Sequence, residues 1–398
     1  MNSIILPKHD KCTGCGACKG VCPQTAIQMI PDEMNVFYPH IDERLCVKCG
    51  QCQDVCHLLK NLKQSKSEIV FAAYSVDEED RAISASGGIA TALYKLAKAN
   101  KWHSYGVEYA RNVSCKYKEL VSEQDYLNAK NSKYVFCDSD DIFQPILNQI
   151  KRGETVLFIG LPCQVASVVA FVGNRKDNLI TVDLLCHGAC PVSYLEAHIS
   201  YLENKLNKKA EEICFRDPIY ETNTYSFTLK NKGKVFYKAT PDQPDVYQIG
   251  YHKGLIYKGS CYNCKYASEE RVGDLTISDF SGLGKLSSYA EKKKSVSCIV
   301  VSSERGKEVL DLLIEKKLVI ADRRPSNEAF KYDKMFQHAT EAHVNREVFK
   351  RKYLKTKDFE LAARVALRSE LNHNYIMTVL HIKEMRAIAS KIKHLLFH

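Results

Sequence analysis

Two cysteine runs of one spacing at the front, apolar strand-like segments alternating with helical ones in the middle, and a basic helical end predict a three-part chain. Residues 1–62 read as a small α+β module, 68–325 as an α/β domain, and 326–398 as a basic helical extension. Strands alternating with helices are what argue for the α/β sheet.

The front module is organised by Cys12, Cys15, Cys18 and Cys22, and again by Cys46, Cys49, Cys52 and Cys56. Both runs read C-x2-C-x2-C-x3-C, the thiolate spacing that wraps a cubane [4Fe–4S] cluster. The first three cysteines of a run reach one cube from a single turn, and the fourth, one helical turn later, ligates the other. One cluster is therefore expected on Cys12, Cys15, Cys18 and Cys56, and a second on Cys46, Cys49, Cys52 and Cys22. The competing readings are disulfides, which need an oxidising compartment, and zinc ribbons, which use paired C-x2-C. Two short strands, 26–30 and 36–38, flank a Pro-Asp-Glu turn, so the unit reads as ferredoxin-like with internal two-fold repetition. His57 stands where a proline usually follows the last cysteine of such a run. A polar segment over 59–67 reads as a linker.

The middle domain opens on a strand over 69–75. Ser86, Gly87, Gly88 and Thr91 follow at the mouth of an apolar-periodic helix, where open N–H groups suit either a phosphate or an ordinary turn. Buried-looking strands at 155–159 and 179–185 each run into a loop carrying a cysteine, Cys163 and Cys186, and helical segments cover 141–151 and 192–207. Binding sites of open α/β sheets lie beyond such strand ends. Residues 210–250 look like β-ribbon or loop. Cys261 and Cys264 form a lone C-x2-C, ambiguous between zinc, redox use and coincidence; with Cys163 and Cys186 they complete a four-thiol set from three distant segments. Cys190 is a rival member. Cys115, Cys137, Cys214 and Cys298 have no companions at ligand spacing and are expected to pack as small apolar residues. Beyond Arg323 the chain turns helical. Apolar residues from Ile376 to Leu396 sit near helical spacing opposite Lys383, Arg386, Lys391 and Lys393, which suits packing on the chain's own domain or, alternatively, a peripheral membrane or partner contact.

Composition is that of a globular protein: 398 residues, 45% hydrophobic and 26% charged, with 17 cysteines. The first residues are too short an apolar run for a secretory signal and no 18-residue apolar run occurs, so the expectation is a reducing cytoplasm with thiols used as ligands rather than staples. A net charge of +10 favours an acidic partner. No aromatic-rich basic groove or nucleic-acid motif is present, so nucleic acid is not expected as a partner.

The succession Ser86-Gly-Gly, Ser132-Lys133-Tyr134, Gly160-Leu-Pro-Cys163-Gln164, Cys186-His187-Gly188, Cys261-x2-Cys264 and Gly273-Asp-Leu-Thr-Ile-Ser-Asp279 is similar to the beta subunits of coenzyme F420-reducing hydrogenases and formate dehydrogenases. It also resembles their bacterial and plant relatives that carry an N-terminal two-cluster ferredoxin module. The resemblance covers roughly residues 1–325. It implies an α+β ferredoxin-like N-terminal module, an α/β flavin-binding domain and a helical C-terminal tail. It further implies FAD (or FMN) and a third iron–sulfur cluster on Cys163, Cys186, Cys261 and Cys264. Ser86, Gly87, Gly88 and Thr91 would border the flavin phosphates; Lys133, Tyr134, Gln164 and Asp279 would lie near the flavin or the substrate. His187 is expected either to give a proton to the substrate or to hydrogen-bond the nearby cysteine loop.

The implied activity is that of an oxidoreductase. Electrons would pass between a one-electron donor such as ferredoxin, or a partner redox subunit, and a small organic substrate. The substrate is coenzyme F420 or a specialised compound, for example in cell-surface polysaccharide assembly. The alternative is an electron-transfer subunit with no substrate of its own.

Overall fold

The computed structural model describes residues 4–109, 115–290 and 295–380. In the front module each cysteine run turns through a left-handed glycine, Gly16 or Gly50 (both φ +81°), into a short helix: α1 (Ala17–Val21) and α2 (Gln51–Asp54). Between them β1 (Ile27–Pro31) and β2 (Phe37–Ile41) pair antiparallel, Ile27 opposite Ile41. The Asp32 carboxylate closes the hairpin turn by accepting from the N–H groups of Met34 and Val36. Cys12, Val36 and Tyr38 are buried together, giving the module a small apolar interior, whereas Ala17 packs into the core of the middle domain.

The middle domain is built on one eight-stranded sheet, joined to the linker through a two-residue strand, β3 (Ser65–Lys66). In chain order its strands begin with β4 (Val70–Ser75), β5 (His103–Tyr109) and β6 (Cys115–Glu119), followed by β7 (Val156–Gly160) and β8 (Leu179–Leu184). A separate three-stranded ribbon then forms from β9 (Glu212–Phe215), β10 (Phe227–Asn231) and β11 (Lys234–Ala239). The short β12 (Glu270–Arg271) pairs with β3, and β13 (Leu275–Asp279), β14 (Ser297–Val301) and β15 (Val319–Arg324) complete the large sheet. Its order is β15-β4-β14-β13-β8-β7-β5-β6. Strands β13, β8, β7 and β5 run parallel to one another, and β4 shares their direction because β14 is antiparallel to both β4 and β13.

Every residue of β7 and β14 is buried, as expected of strands covered on both faces. The two-residue alternation divides β7 between two cores: Val156 and Phe158 join one, Leu157 and Ile159 the other. The second core is capped by α4 (Ile89–Ala99) and α10 (Glu304–Glu315), and includes Leu93, Leu96, Leu310 and Leu313. The first is capped by α6 (Phe143–Lys151), α7 (Pro162–Val172) and α8 (Val192–Leu206), reached in sequence after α3 (Glu78–Ala82) and α5 (Glu123–Ala129).

Residues beyond 325 do not stand apart from the body. After α9 (Val246–His252) and α11 (Ser326–Phe330), helices α12 (Arg346–Thr356) and α13 (Phe359–Ala366) bury Phe349, Tyr353, Phe359 and Ala363 in the first core, and α14 (Arg368–Val379) follows. These helices also grip the front module: Asn35 donates to Tyr353 Oη at 2.7 Å and Lys357 to the Glu33 carbonyl at 3.0 Å. Ile376, Val379 and Leu380 are exposed, whereas the remaining positions of the expected amphipathic tail lie outside the described residues. Among the described residues no helix is long and apolar enough to cross a membrane.

One cysteine expectation is corrected outright. Cys115 and Cys137 are not independent packing residues but a disulfide joining β6 to the segment before α6; the other 15 cysteines are free. Cys115 and Cys137 lie 22 positions apart, so only the sheet, by pairing β6 with that segment, brings them together.

Candidate active site at the carboxyl edge of the sheet

The parallel strands deliver their carboxyl ends to one edge. Tyr109 ends β5, Gly160 leads to Cys163 on the first turn of α7, Leu184 leads to Cys186, Asp279 ends β13, and Ser75 of β4 leads towards the Ser86–Gly88 turn. Such an edge, where chain direction switches, is where open α/β sheets place ligands.

A group of polar and aromatic side chains gathers there. Arg216, in the left-handed conformation (φ +56°) just after β9, donates to Asp279 Oδ2 at 2.6 Å and lies 4.9 Å from the Tyr225 ring centroid. Tyr134 stacks on Tyr251 at 4.4 Å and meets the edge of His252 at 5.6 Å. Burial holds the His252 imidazole neutral, pulling its pKa down to about 4 with help from His187 and Arg216, and its Nε2 has no hydrogen-bond partner. Phe215, packed against Tyr134 at 4.9 Å, also lines a cleft of about 890 Å³. Tyr109, Asn131, Lys133, Glu196 and Asp217 form other parts of that cleft, and Tyr109 Oη and Asn131 Oδ1 within it have no hydrogen-bond partner. Its volume falls in the range of small-molecule sites.

Of the residues singled out from sequence, Tyr134 and Asp279 belong to this group and Lys133 to the cleft wall. The Lys133 ammonium donates to the carbonyls of Asn128, Lys130 and Asn131, closing the C-terminal end of α5. Gln164 is fully buried, accepting from Tyr117 Oη and donating to the Cys137 carbonyl, both at 2.8 Å. The His187 side chain is exposed, and its carbonyl accepts from Thr340. Thr91 is buried within α4. The Ser86–Gly88 turn is tied to β14: Gly87 N–H donates to Ser297 Oγ at 2.9 Å, and Ser86 Oγ lies 3.1 Å from the same hydroxyl. A Cβ on Gly87 would come within 2.5 Å of the Ala73 carbonyl oxygen, so packing demands the glycine there.

Arg216, Tyr225 and His252 were not singled out from sequence. No motif marks them, because the ribbon and α9 bring them to the sheet edge from separate segments.

The front cysteines fall into the neighbourhoods their spacing suggests. Cys12, Cys15, Cys18 and Cys56 influence one another, as do Cys46, Cys49 and Cys52, and in the middle domain Cys163, Cys186, Cys261 and Cys264 do the same. Cys190 is engaged elsewhere, by the Tyr134 carbonyl and Tyr247 Oη. Between the front and middle thiols lies buried Lys258, whose ammonium donates to the Thr13 carbonyl and sits 3.0 Å from the Phe136 ring centroid. His57 is also buried here, 2.6 Å from Tyr266 Oη and 3.0 Å from Thr13 Oγ1, and burial pulls its pKa down to about 3.

Neighbourhood does not amount to ligation. Among the described residues no group of three or more Cys, His, Asp or Glu side chains could hold a metal ion. The expected pair of [4Fe–4S] clusters and the third one are corrected on this ground. FAD (or FMN) is corrected with them: the turn expected to cradle its phosphates is closed against β4 and β14.

Comparison with known proteins identifies the middle of the chain. Residues 153–325 match the model for the carboxyl-terminal part of the coenzyme F420 hydrogenase/dehydrogenase beta subunit. That segment carries Cys163, Gln164, Arg216, His252 and Asp279. Over those residues the chain matches the coenzyme F420 hydrogenase/dehydrogenase beta-subunit family. Ahead of it, residues 11–58 match the 4Fe-4S dicluster domain model.

Among similar proteins, an F420H2 dehydrogenase subunit of Methanosarcina mazei is 23% identical over 190 residues, 45% of this chain and 54% of that protein. The chain thus spans about half the length of that relative. An uncharacterized ferredoxin of Methanocaldococcus jannaschii is 32% identical over 68 residues, 16% of this chain and 87% of its own. A chain from a structure of the F420-reducing [NiFe] hydrogenase complex of Methanosarcina barkeri superposes with a TM-score of 0.45 at 17% identity, covering 78% of this chain and 91% of that one.

Proposed function

We propose that this chain binds a small organic substrate of the deazaflavin class, coenzyme F420 or a compound of similar size and planarity, with the electron pair given or taken by the redox group of a partner subunit. The observation that carries the reading is the cleft of about 890 Å³ joined through Phe215 to the Tyr134–Arg216–Asp279–His252 group, of which Phe215, Arg216, His252 and Asp279 lie in the segment matched by the family model. The relative named for F420H2 dehydrogenation supports the substrate class.

The residues divide the work in a chemically coherent way. Tyr134, packed on Tyr251 and backed by buried Phe215, brings an aromatic side chain to the group. Arg216, held in place by Asp279, presents a guanidinium beside it for developing negative charge. A two-electron reduction of a deazaflavin ring takes up a hydride and a proton. Neutral His252, with Nε2 unpartnered, is the group suited to accept or return that proton.

The test is a fluorescence titration of coenzyme F420 with the purified chain, followed by F420 oxidation and reduction assays with and without the partner subunit. Saturable binding by the chain alone, weakened by Arg216→Met, is the expected result. Failure of F420 to bind the chain at any concentration up to the millimolar range would leave an electron-transfer subunit without its own substrate.

A further inference from the structure

The segment from Tyr134 to Asp141 is the junction of the molecule. Towards the front module, Ser139 Oγ donates to the Cys15 carbonyl at 2.9 Å and Asp140 accepts from Lys19 at 2.8 Å. Asp140 reaches so close that a Cβ on Gly16 would collide with its Oδ1. Towards the middle domain, the Cys137 carbonyl accepts from Gln164 beside Cys163, and Phe136 N–H donates to the Cys190 carbonyl at 2.8 Å. Along its length the segment lies on β6, the outermost strand of the sheet: Tyr117 N–H donates to the Asp138 carbonyl at 2.8 Å and Asp138 N–H to the Cys115 carbonyl at 2.9 Å. Across that short pairing runs the Cys115–Cys137 disulfide.

A single disulfide among 15 free cysteines is chemically out of step with its surroundings. In proteins that keep their other thiols reduced, a disulfide is usually a redox-responsive element rather than a staple. Opening it removes the covalent tie on an edge where, among the described residues, the two backbone hydrogen bonds of the Lys116–Asp138 bridge hold the segment to β6.

We propose that Cys115–Cys137 is a redox site of its own, reduced by a dithiol, and that its oxidation state sets how firmly the front module is docked on the middle domain. The exchange balances: one thiolate of the dithiol attacks a sulfur of the bridge, its second thiolate resolves the mixed disulfide, and the products are two cysteine thiols and an oxidised dithiol. Electron count is two, with no metal or further oxidant involved. The proposal stands apart from the substrate assignment, since it concerns the junction and not the cleft.

The experiment uses the full chain without substitution. Differential alkylation followed by peptide mass mapping measures whether Cys115 and Cys137 are blocked in the untreated protein and freed by dithiothreitol under native conditions. Limited proteolysis of the 59–67 linker, on aliquots poised oxidised or reduced, reads docking. Expected are a pair of peptides linked before treatment and free after it, and linker cleavage several-fold faster in the reduced chain. Full labelling of both cysteines in the untreated protein, or reduction with no change in cleavage, would overturn the proposal. Because reduction touches other thiols' environment little if they are already free, a Cys115→Ser/Cys137→Ser variant should cleave at the reduced rate and ignore dithiothreitol; cleavage at the oxidised rate would count against it.

Discussion

His198 Nε2 lies 2.9 Å from Asp245 Oδ2, with both side chains almost wholly removed from solvent. On its other side His198 Nδ1 meets Glu360 of α13, Tyr237 Oη donates to the same Asp245 oxygen at 2.5 Å, and Arg364 pairs with Glu360 at 3.2 Å. Burial opposes the imidazolium, but the two carboxylates prevail and raise its pKa to about 9, while His198 holds Asp245 below the usual carboxylate range. A cation raised in this way stabilises the fold fully below its unfolded pKa of about 6.5 and loses that contribution as pH rises through about 9. Urea midpoints should therefore fall between about pH 6.5 and 9 by an amount equivalent to about 3 kcal/mol. The His198→Gln variant should be less stable at pH 6 and lack this decline.

Gly87 tests whether the Ser86–Gly88 turn is glycine-rich for packing. Its missing Cβ would meet the Ala73 carbonyl oxygen at 2.5 Å and Ser297 N at 2.8 Å, both backbone atoms that cannot swing away. Gly87→Ala is expected to cost about 2–4 kcal/mol in chemical denaturation. Gly50→Ala, where nothing lies within 4 Å and only the φ of +81° is unfavourable, should cost about 1 kcal/mol.

Gln164 joins Tyr117 to Cys137 at the centre of the junction. Replacing it with leucine leaves a buried hydroxyl and a buried carbonyl unpaired, a loss of about 2–4 kcal/mol. Glutamate would keep the acceptor for Tyr117 but lose the donor to Cys137, so Gln164→Glu should regain stability only when the carboxyl is protonated at low pH. Thermal melts of the three proteins at pH 5 and 8 check this.

Arg216 is expected to matter for ligand rather than fold. Its ion-pair partner Asp279 is about one-third exposed, so the pair contributes little net stability. Arg216→Met should shift the melting temperature slightly while weakening coenzyme F420 binding about tenfold, the usual worth of one charge-assisted contact. Equal binding by variant and wild type would remove Arg216 from the proposed site.

Much of the frame was legible from residue order. The strands at 69–75, 155–159 and 179–185 and the helices at 141–151 and 192–207 appear close to where apolar runs and periodicity put them. In the front module Cys12, Cys15, Cys18 and Cys56 lie near one another, whereas the grouping of Cys163, Cys186, Cys261 and Cys264 was implied by the resemblance and not by spacing. Spacing did not foretell whether neighbours would become a metal-holding group, because that depends on loop curvature and burial. Nor did it mark Arg216, Tyr225 and His252, which meet through a ribbon and a helix with no shared motif.

Local sequence by itself determined the secondary elements, the two matched cysteine runs and the family match of the middle segment, since each rests on interactions between residues near in the chain or on motif order. Only the tertiary structure decided that Cys115 bonds Cys137, that Gly87 answers to packing, that residues beyond 325 clamp the front module, and that Arg216 reaches Asp279. The reason is physical. These relations join residues 14 to more than 300 positions apart, as with Gly87 near Ala73 and Asn35 with Tyr353, and only the packing of the sheet with its covering helices sets those distances.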